Sequence, residues 1–450
     1  MRLRTPAPTG PVRVLRVLPL LLAVVGAVGP AAAQAPAAPP PATAPTRTAP
    51  APGQVLSLPE AIELALRQQP TIRSAEQGRG AAMARVPQAQ SSYYPRLDVV
   101  GSAGRSQTFS STLNQAFQSN SISAVIQGRQ LIYDFGKTGA LVDEARANVR
   151  FSERELERVR DVVVVNVRQA YYQLLQAQRL VAVADAQVGR ADLNLRSAQG
   201  FFEVGTKPKS DVTKAEVEVA NARVAQIRAR NLVQFNQVNL ASTLGLEATT
   251  PLQIQDILNY EPVTIDPAAL RTEALANRPE LAQAQARVDA ARAQLAGARA
   301  GYLPDLTVTG SYGAATSDPP LHEVWSITGN LSWNLFQGFF TQSRVTETQA
   351  LTEAARANYD ALDLQVRLDV EQAYIAVVDA AERIAATAKA VESARENLRL
   401  AQGRYDAGVG TILDLTDAQL SLTNAEADQV RALTDHKLAL AALDRAVGRP

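Results

Sequence analysis

Cysteine is absent from this 450-residue chain. The chain therefore has no disulfide, no thiolate metal ligand, no cysteine nucleophile and no cysteine to carry a lipid anchor. Aromatic residues are also scarce, at 5%, whereas alanine occurs 79 times. Small side chains suit helices that pack closely along their length better than they suit a thick globular core. We therefore expect thin cores built from helices.

Neither sign of charge dominates, and long apolar runs are rare. Lys and Arg total 45 against 44 Asp and Glu, so the composition gives no reason to expect a nucleic-acid partner. One apolar run, residues 17–28, follows several arginines and precedes three alanines. It is too short for a membrane helix, which needs about 18 apolar residues, and its flanks predict a signal peptide at 1–33. Residues 34–53, rich in Ala and Pro, form the expected linker.

The sequence also lacks the usual marks of a catalytic site. Its two histidines are His322, in an expected surface loop, and His436, on a late helix, and neither has a carboxylate at metal-ligand spacing. No phosphate-binding glycine loop, nucleophile elbow or zinc-protease motif occurs. Asp414 and Asp417 resemble a carboxylate pair, but a helix with heptad spacing provides no substrate cleft. We expect no enzyme activity, no metal and no cofactor.

The chain does contain an internal duplication. The segment Ala65-Leu-Arg-Gln-Gln-Pro70 recurs in related form 209 residues later, and so does Tyr93-Tyr-Pro-Arg-Leu97, whereas Gln169-Ala-Tyr171 recurs 203 residues later. Constant offsets of this size indicate a duplicated domain-sized unit and not a short-period solenoid. The pattern predicts a first repeat at 54–245, a connection at 246–265 and a second repeat at 266–450.

Each repeat contains a predicted hairpin of two strands with one apolar face. Apolar and polar residues alternate from Leu97 to Ala103 and from Trp325 to Leu335, and a period of two is typical of strands. The predicted strands lie at about 96–108, 121–134, 305–314 and 323–336. The polar segments 105–120 and 314–323 are the expected loops between them.

A very long helix is predicted after each hairpin. Apolar residues recur about every 3.5 residues from Leu156 to Phe202 and from Tyr359 to Tyr405, which is the spacing of a left-handed coiled coil. We expect long helices at about 137–203 and 340–407, each roughly 100 Å long at about 1.5 Å per residue. A glycine-containing turn and a returning helix follow each of them.

Four strands with one apolar face cannot complete a fold alone. A closed barrel needs about eight strands, and an open sheet exposes edges that aggregate. Three copies would supply twelve strands. Trp325 and Trp333 lie near strand ends, where membrane barrels carry aromatic girdles. The alternative is a soluble sheet packed on the helices, but the helices already use their apolar positions in their own seams.

The order and spacing of these motifs resemble the TolC-type outer-membrane efflux family, over nearly the whole chain after residue 57. The resemblance is carried by the duplication, the glycine turns, the Tyr-x-Pro-x-Leu strand entries at Tyr93 and Tyr302, and the strand exits at 131–136 and 335–338. It implies a mainly α chain with a β-barrel part, assembled as a homotrimer. A twelve-stranded outer-membrane barrel would continue into a periplasmic α-helical coiled-coil tunnel. The implied partners are outer-membrane lipid, a periplasmic adaptor protein and an inner-membrane pump or secretion ATPase.

The resemblance also implies a gate at the helical tip of the tunnel. By motif alignment, Asp414 and Asp417 would ring the pore, with Asp211 and Tyr405 as latch partners. Residues three apart on a helix share a face, and six carboxylates in a trimer would favour cations and raise one another's pKa. Gly410 stands where the family often has an Arg. The alternative roles are a helix cap for Asp414 and a solvated face for both acids.

The turn residues have two compatible roles. Gly205, Thr206, Gly408, Gly410 and Thr411 would form the tips that an adaptor contacts. They would also turn the chain, because glycine adopts positive φ at no steric cost.

Two functions follow from these patterns. The first is a passive outer-membrane channel for efflux or type I secretion, with a periplasmic gate that opens when an adaptor and pump dock. The second is a structural trimeric coiled-coil scaffold or adhesin of the envelope. Lipid-facing strand residues favour the channel, because a scaffold has no need of them.

Overall fold

The computed structural model describes residues 55–263, 265–317 and 320–449, all within the unit Thr48–Pro450. The predicted signal peptide at 1–33 and linker at 34–53 lie outside the described residues. The first repeat comprises β1 (Val55–Leu56), α1 (Leu58–Gln68), α2 (Pro70–Gln90), β2 (Arg96–Ser110), β3 (Gln115–Tyr133), α3 (Lys137–Glu203) and α4 (Lys209–Thr243). After β4 (Gln253–Ile254), the second comprises α5 (Pro267–Asn277), α6 (Pro279–Ala300), β5 (Asp305–Thr316), β6 (His322–Ser332), α7 (Phe340–Asp406) and α8 (Ile412–Val447).

Local sequence signals set the short helices at the start of each repeat. Ser57 caps α1 in a capping box with Glu60, so two backbone donors at the helix start are satisfied. Pro70 and Pro279 occupy the first positions of α2 and α6, where the missing proline N–H costs no hydrogen bond. Asp266 caps α5 by accepting the Ala268 N–H at 3.0 Å.

The two long helices, α3 and α7, have 67 residues each and are therefore roughly 100 Å long at about 1.5 Å per residue. Each forms a hairpin with the helix that follows it, α3 with α4 and α7 with α8. Helix α3 also packs on α6 and α8 of the second repeat. The two repeats are thereby joined along α3.

The apolar core is a series of small clusters strung along these helices. The largest surrounds Tyr171 and Leu174 and includes β1, α1 and the end of α4. A second involves α5, α7 and the end of α8. Further along the hairpins the clusters shrink to a few residues, such as Ala191, Val219 and Ala222. Because small side chains fill these interfaces, neighbouring helices approach closely.

The four longer strands form one antiparallel sheet in the order β2-β3-β5-β6. Its register aligns Val99, Ile126, Tyr312 and Trp325 in one row across the sheet. Because partners in a row share a face, the apolar positions of all four strands lie on the same side. That face is exposed: Val99 and Ile327, for example, are 80% and 74% exposed. The helices that the structure describes do not cover it, which contradicts the alternative of a soluble sheet packed on those helices.

The hairpins differ from the sequence prediction at their ends. Residues 105–120, expected as a loop, mostly continue β2 and β3, and only residues 111–114 connect the strands. Similarly, β5 runs to Thr316 and β6 begins at His322, so His322 lies in a strand and not in a loop. Main-chain hydrogen bonds between strands require no apolar side chains. Strand ends that carry only polar residues are therefore not predicted from the alternation of apolar and polar residues. At its other end β6 stops at Ser332, before the predicted 336.

The Tyr171 hydroxyl provides a test of the first-repeat core. It is fully buried, lying 2.8 Å from the Gln255 carbonyl oxygen and 3.1 Å from that of Leu56, and so ties β1 to the chain after β4. Burial raises the pKa of Tyr171 to about 12. Tyr374, its counterpart in the second repeat, makes no hydrogen bond among the described residues.

We expect Tyr171→Phe to lower the free energy of unfolding by about 1 kcal/mol because a buried hydrogen bond is lost, and Tyr374→Phe to change it little. The folded state holds the Tyr171 proton more tightly, so this contribution falls as the pH rises from about 10 towards 12. Denaturant melts at neutral and alkaline pH would measure both effects. Equal losses in the two variants would contradict the assignment.

Candidate functional site

The two turns that end the long helices lie side by side. The turn after α3 and the turn after α7 meet through the Lys207 Nζ, which donates to the Gly410 carbonyl oxygen at 3.1 Å. The rings of Phe201 and Tyr405 also meet edge to face, with centroids 5.7 Å apart. We call residues 201–211 and 404–417 together the tip. The structure thus brings the candidate residues of both repeats to one end of the hairpins.

The first turn is held by its own backbone. Gly205 has φ of 75°, a left-handed conformation that favours glycine. The Thr206 N–H and hydroxyl both donate to the Phe201 carbonyl oxygen at 2.9 Å. These two hydrogen bonds give Thr206 a local structural role whether or not it contacts a partner. Asp211 follows in the first turn of α4 and is buried.

The second turn needs glycine twice. Gly408 has φ of 79°, and the N–H groups of Val409 and Gly410 donate to the Arg404 carbonyl oxygen at 3.0 and 2.8 Å. A Cβ on Gly410 would lie 2.9 Å from the Tyr405 nitrogen, which is too close for any side chain. The arginine often found here in the family therefore does not fit this turn.

Tyr405 fills the centre of the tip. It is fully buried with Ile412 and Leu415, and its hydroxyl has no hydrogen-bond partner among the described residues. Burial raises the pKa of Tyr405, and the charges of Asp211 and Asp406 raise it further. Asp211 is thus near enough to act on Tyr405 electrostatically, but no hydrogen bond joins the expected latch pair within this chain.

Asp414 has a local partner, whereas Asp417 makes no hydrogen bond or ion pair with the described residues. Thr411 caps α8, and Asp414 closes the capping box: its Oδ2 accepts the Thr411 hydroxyl at 2.8 Å and the Thr411 N–H at 3.3 Å. These hydrogen bonds lower the pKa of Asp414, the opposite direction from the increase expected from acid repulsion. Asp417 is exposed on the same side of α8. The capping role expected as an alternative for Asp414 is present, with Thr411 as the cap residue.

The sheet presents a second candidate site, a two-sided surface. Its apolar face carries Trp325, which is 69% exposed and pairs across the strands with Tyr312. Trp333 lies just beyond the end of β6, and its indole N–H donates to the Tyr302 carbonyl oxygen at 3.0 Å. On the opposite face, hydroxyl pairs cross the strands: Ser102 with Ser123 at 2.8 Å and Ser311 with Ser326 at 2.9 Å. One face suits lipid and the other suits water.

The histidines do not form a chemical site. His322 pairs with Ala315 at the start of β6, and His436 is buried with its ring 5.2 Å from that of Tyr260. Burial lowers the pKa of His436. In the part of the chain that the structure describes, no His, Cys, Asp and Glu cluster could hold a metal ion. No helix within the described ranges has the length and apolarity to cross a membrane.

Sequence reasoning missed Phe201. The apolar spacing assigned Phe202 to the seam of α3, but Phe202 is 44% exposed and Phe201 packs against Tyr405. Steps of three and four residues are equally acceptable in a heptad pattern, so adjacent phenylalanines leave the choice open. A three-residue step from Ala198 identifies Phe201 correctly.

The capping box predicts different effects for the two acids of α8. Above its ordinary pKa of 3.8, Asp414 is charged and stabilises the helix start, and this contribution is lost as the pH falls through its lowered pKa. We expect Asp414→Ala to speed amide exchange in the first turn of α8 at neutral pH and Asp417→Ala to leave it unchanged. The difference should vanish in strong acid. Equal exchange in both variants at neutral pH would refute the capping role.

Comparisons with known proteins agree with this architecture. The family model described as "Outer membrane efflux protein" matches residues 61–246 and 270–449. The outer membrane protein TolC of Escherichia coli is 25% identical over 398 residues, which cover 84% of this chain and 79% of TolC. Protein CyaE of Bordetella pertussis is 28% identical over 413 residues, covering 88% and 85%.

Solved structures show the same fold. The outer-membrane channel OprN superposes with a TM-score of 0.79 at 20% identity, covering 87% of this chain and 90% of that one. The two family-model matches coincide with the two repeats and together include both turns of the tip. The chain is therefore an outer-membrane protein with a TolC-like fold, and it belongs to the outer membrane efflux protein family.

Proposed function

We propose that this chain forms the exit channel of a tripartite efflux or type I secretion system. The observation that carries the proposal is the sheet: within the described residues, nothing covers its apolar face or pairs with its two edge strands, β2 and β6. Such a sheet is stable only when its edges are paired and its apolar face is out of water. An outer-membrane barrel built from several copies meets both requirements.

Three copies give a barrel of suitable size. Each chain contributes four strands, and pairing β6 of one copy with β2 of the next closes a twelve-stranded sheet. Membrane barrels contain eight strands or more. In this arrangement the apolar face containing Val99 and Trp325 contacts lipid, while the hydroxyl pairs on the other face line a wet lumen.

The spacing of the tryptophans fits a membrane girdle. Trp325 and Trp333 are eight residues apart, about 26 Å along the strand at roughly 3.3 Å per residue, or about 20 Å across the membrane at a strand tilt of roughly 40°. The apolar band of an outer-membrane barrel is about 25 Å tall, with aromatic residues at both borders. Without any cysteine for lipid attachment, the barrel is the membrane anchor.

The long helices continue the channel on the periplasmic side. Exposed apolar side chains remain along their hairpins, including Val224 and Phe235 on α4 and Leu364 and Ile375 on α7. Rows of this kind are typical of surfaces that pack against another helix. We assign them to contacts between copies, so that the helices form the wall of a tunnel.

The tip is the proposed gate and docking site. In a trimer, Asp414 and Asp417 supply six carboxylates on the exposed side of α8, which favour cations. Tyr405, buried against Ile412 and Leu415, and Asp211, buried in the first turn of α4, are the proposed latch partners. The adaptor would dock on the turn residues Gly205, Thr206, Gly408, Gly410 and Thr411. The side chains of Val204 and Val409, 72% and 80% exposed, add an apolar surface there.

The orientation of the sheet predicts a face-specific effect of charge. We expect Ile327→Lys to destabilise the membrane-inserted protein by about 2–4 kcal/mol, because it places a charge in lipid. Thr328→Lys, one residue along on the lumen face, should have little effect. Urea unfolding from lipid vesicles measures both. If the two substitutions cost the same, the proposed orientation is wrong.

The channel itself is tested in planar bilayers. Purified wild-type protein is expected to conduct and to prefer cations, and Asp414→Asn with Asp417→Asn should reduce that preference in reversal-potential measurements. Glu216→Gln is the control, because Glu216 is exposed on α4 and has no ion pair among the described residues. A trimer that never conducts, even with both acids neutralised, would indicate a structural scaffold or adhesin instead.

A further inference from the structure

We propose that Lys207 is the positioning residue that holds the second turn against the first and so keeps the gate closed. This inference rests on the proposed channel function and assigns a device to its gate. The cation comes from the first repeat, and its acceptors, the Gly410 carbonyl and the Tyr405 ring, belong to the second.

Lys207 makes two contacts across the tip. Its Nζ donates to the Gly410 carbonyl oxygen at 3.1 Å and lies 4.9 Å from the centre of the Tyr405 ring. Hydrogen bonds from a charged donor are stronger than neutral ones, and a cation over an aromatic face gains further electrostatic energy. Lys207 is half-buried, so water screens these contacts less than it screens a fully exposed lysine.

The acceptor is preorganised. Two backbone N–H groups, those of Val409 and Gly410, already fix the second turn on the Arg404 carbonyl oxygen. Gly410 also packs directly on the preceding backbone, since a Cβ there would lie 2.9 Å from the Tyr405 nitrogen. Little entropy is lost when the lysine binds a carbonyl that is already fixed.

In the described part of the chain, no carboxylate competes for this lysine. Lys207 forms no ion pair among the described residues, although the charges of Asp211 and Asp406 act on the neighbouring Tyr405. Lys209, two residues away, is exposed and also lacks an ion pair in the described part of the chain. It therefore provides a matched control from the same turn.

Lys207 lies far along the hairpins from the next polar side-chain contact between the two repeats. The next polar side-chain tie between the repeats is Arg190, whose Nη2 donates to Thr423 at 3.1 Å and to Glu426 at 3.2 Å. Between Arg190 and the end of α3 at Glu203 lie about 20 Å of helix at roughly 1.5 Å per residue, and Lys207 stands in the turn that follows. Within the described residues, Lys207 makes the only polar side-chain contact between the repeats beyond Arg190. Its loss leaves only apolar contacts among the described residues to hold the end of the second hairpin against the first.

Hydrogen exchange and conductance together test this role. We expect Lys207→Met to speed amide exchange of residues 404–411 about tenfold, as for the loss of a charged hydrogen bond, and to raise the fraction of time that the channel is open. Lys207→Arg should restore both, and Lys209→Met should change neither. In a Tyr405→Leu background the effect of Lys207→Met should shrink, because the two residues share one contact.

The outcomes separate this inference from the channel proposal. If Lys207→Met matches the wild type in exchange and in open fraction while the wild type conducts, the lysine latch is overturned and the channel stands. Faster exchange spread along all of α7 would also overturn it, because that result indicates general destabilisation. If no variant conducts, the channel proposal fails, and local exchange at 404–411 still decides whether Lys207 holds the turn.

Discussion

The rest of the structure depends on one constraint, a four-stranded sheet with two unpaired edges and one exposed apolar face. Among the described residues, no strand pairs with the outer edges of β2 and β6, and a continuous apolar face is open to its surroundings. Both features are unfavourable for a single chain in water. They become favourable when copies close the sheet and lipid covers the apolar side. Assembly and membrane insertion thus follow from the same four strands.

In the helical part, small residues allow the helices to pack into a thin wall. A wall around a lumen must be thin, so its core cannot grow thick, and alanine-rich seams allow helices to pack closely over about 100 Å. The structure accordingly has a string of small clusters, with large side chains concentrated around Tyr171 and at the tip around Tyr405. At Tyr405 a buried hydroxyl has no hydrogen-bond partner among the described residues, which is a cost to stability that the surrounding packing has to offset.

Regular patterns made much of the fold predictable from the sequence. Spacings of about 3.5 and of two residues distinguish the long helices from the strands because each reflects which side chains share a face. The polar ends of β2 and β3 were not predicted, because main-chain hydrogen bonds hold them together and leave no apolar pattern in the sequence.

At the tip, residue types alone located the site but not its contacts. The choice between Phe201 and Phe202 depends on one three- or four-residue step. Asp414 was recognised as either gate or cap, and its geometry shows the capping contact. The Lys207 contact joins segments 203 residues apart, and only the folded chain shows that these segments meet.

Cryo-electron microscopy of the protein in lipid nanodiscs tests the central claim most directly. The account predicts three copies around one closed sheet of twelve strands, with β6 of each copy paired to β2 of the next. Val99, Trp325 and Ile327 should face lipid, and the Ser102–Ser123 pair should face the lumen. An open sheet, a different number of copies, or an apolar face covered by the helices would contradict it.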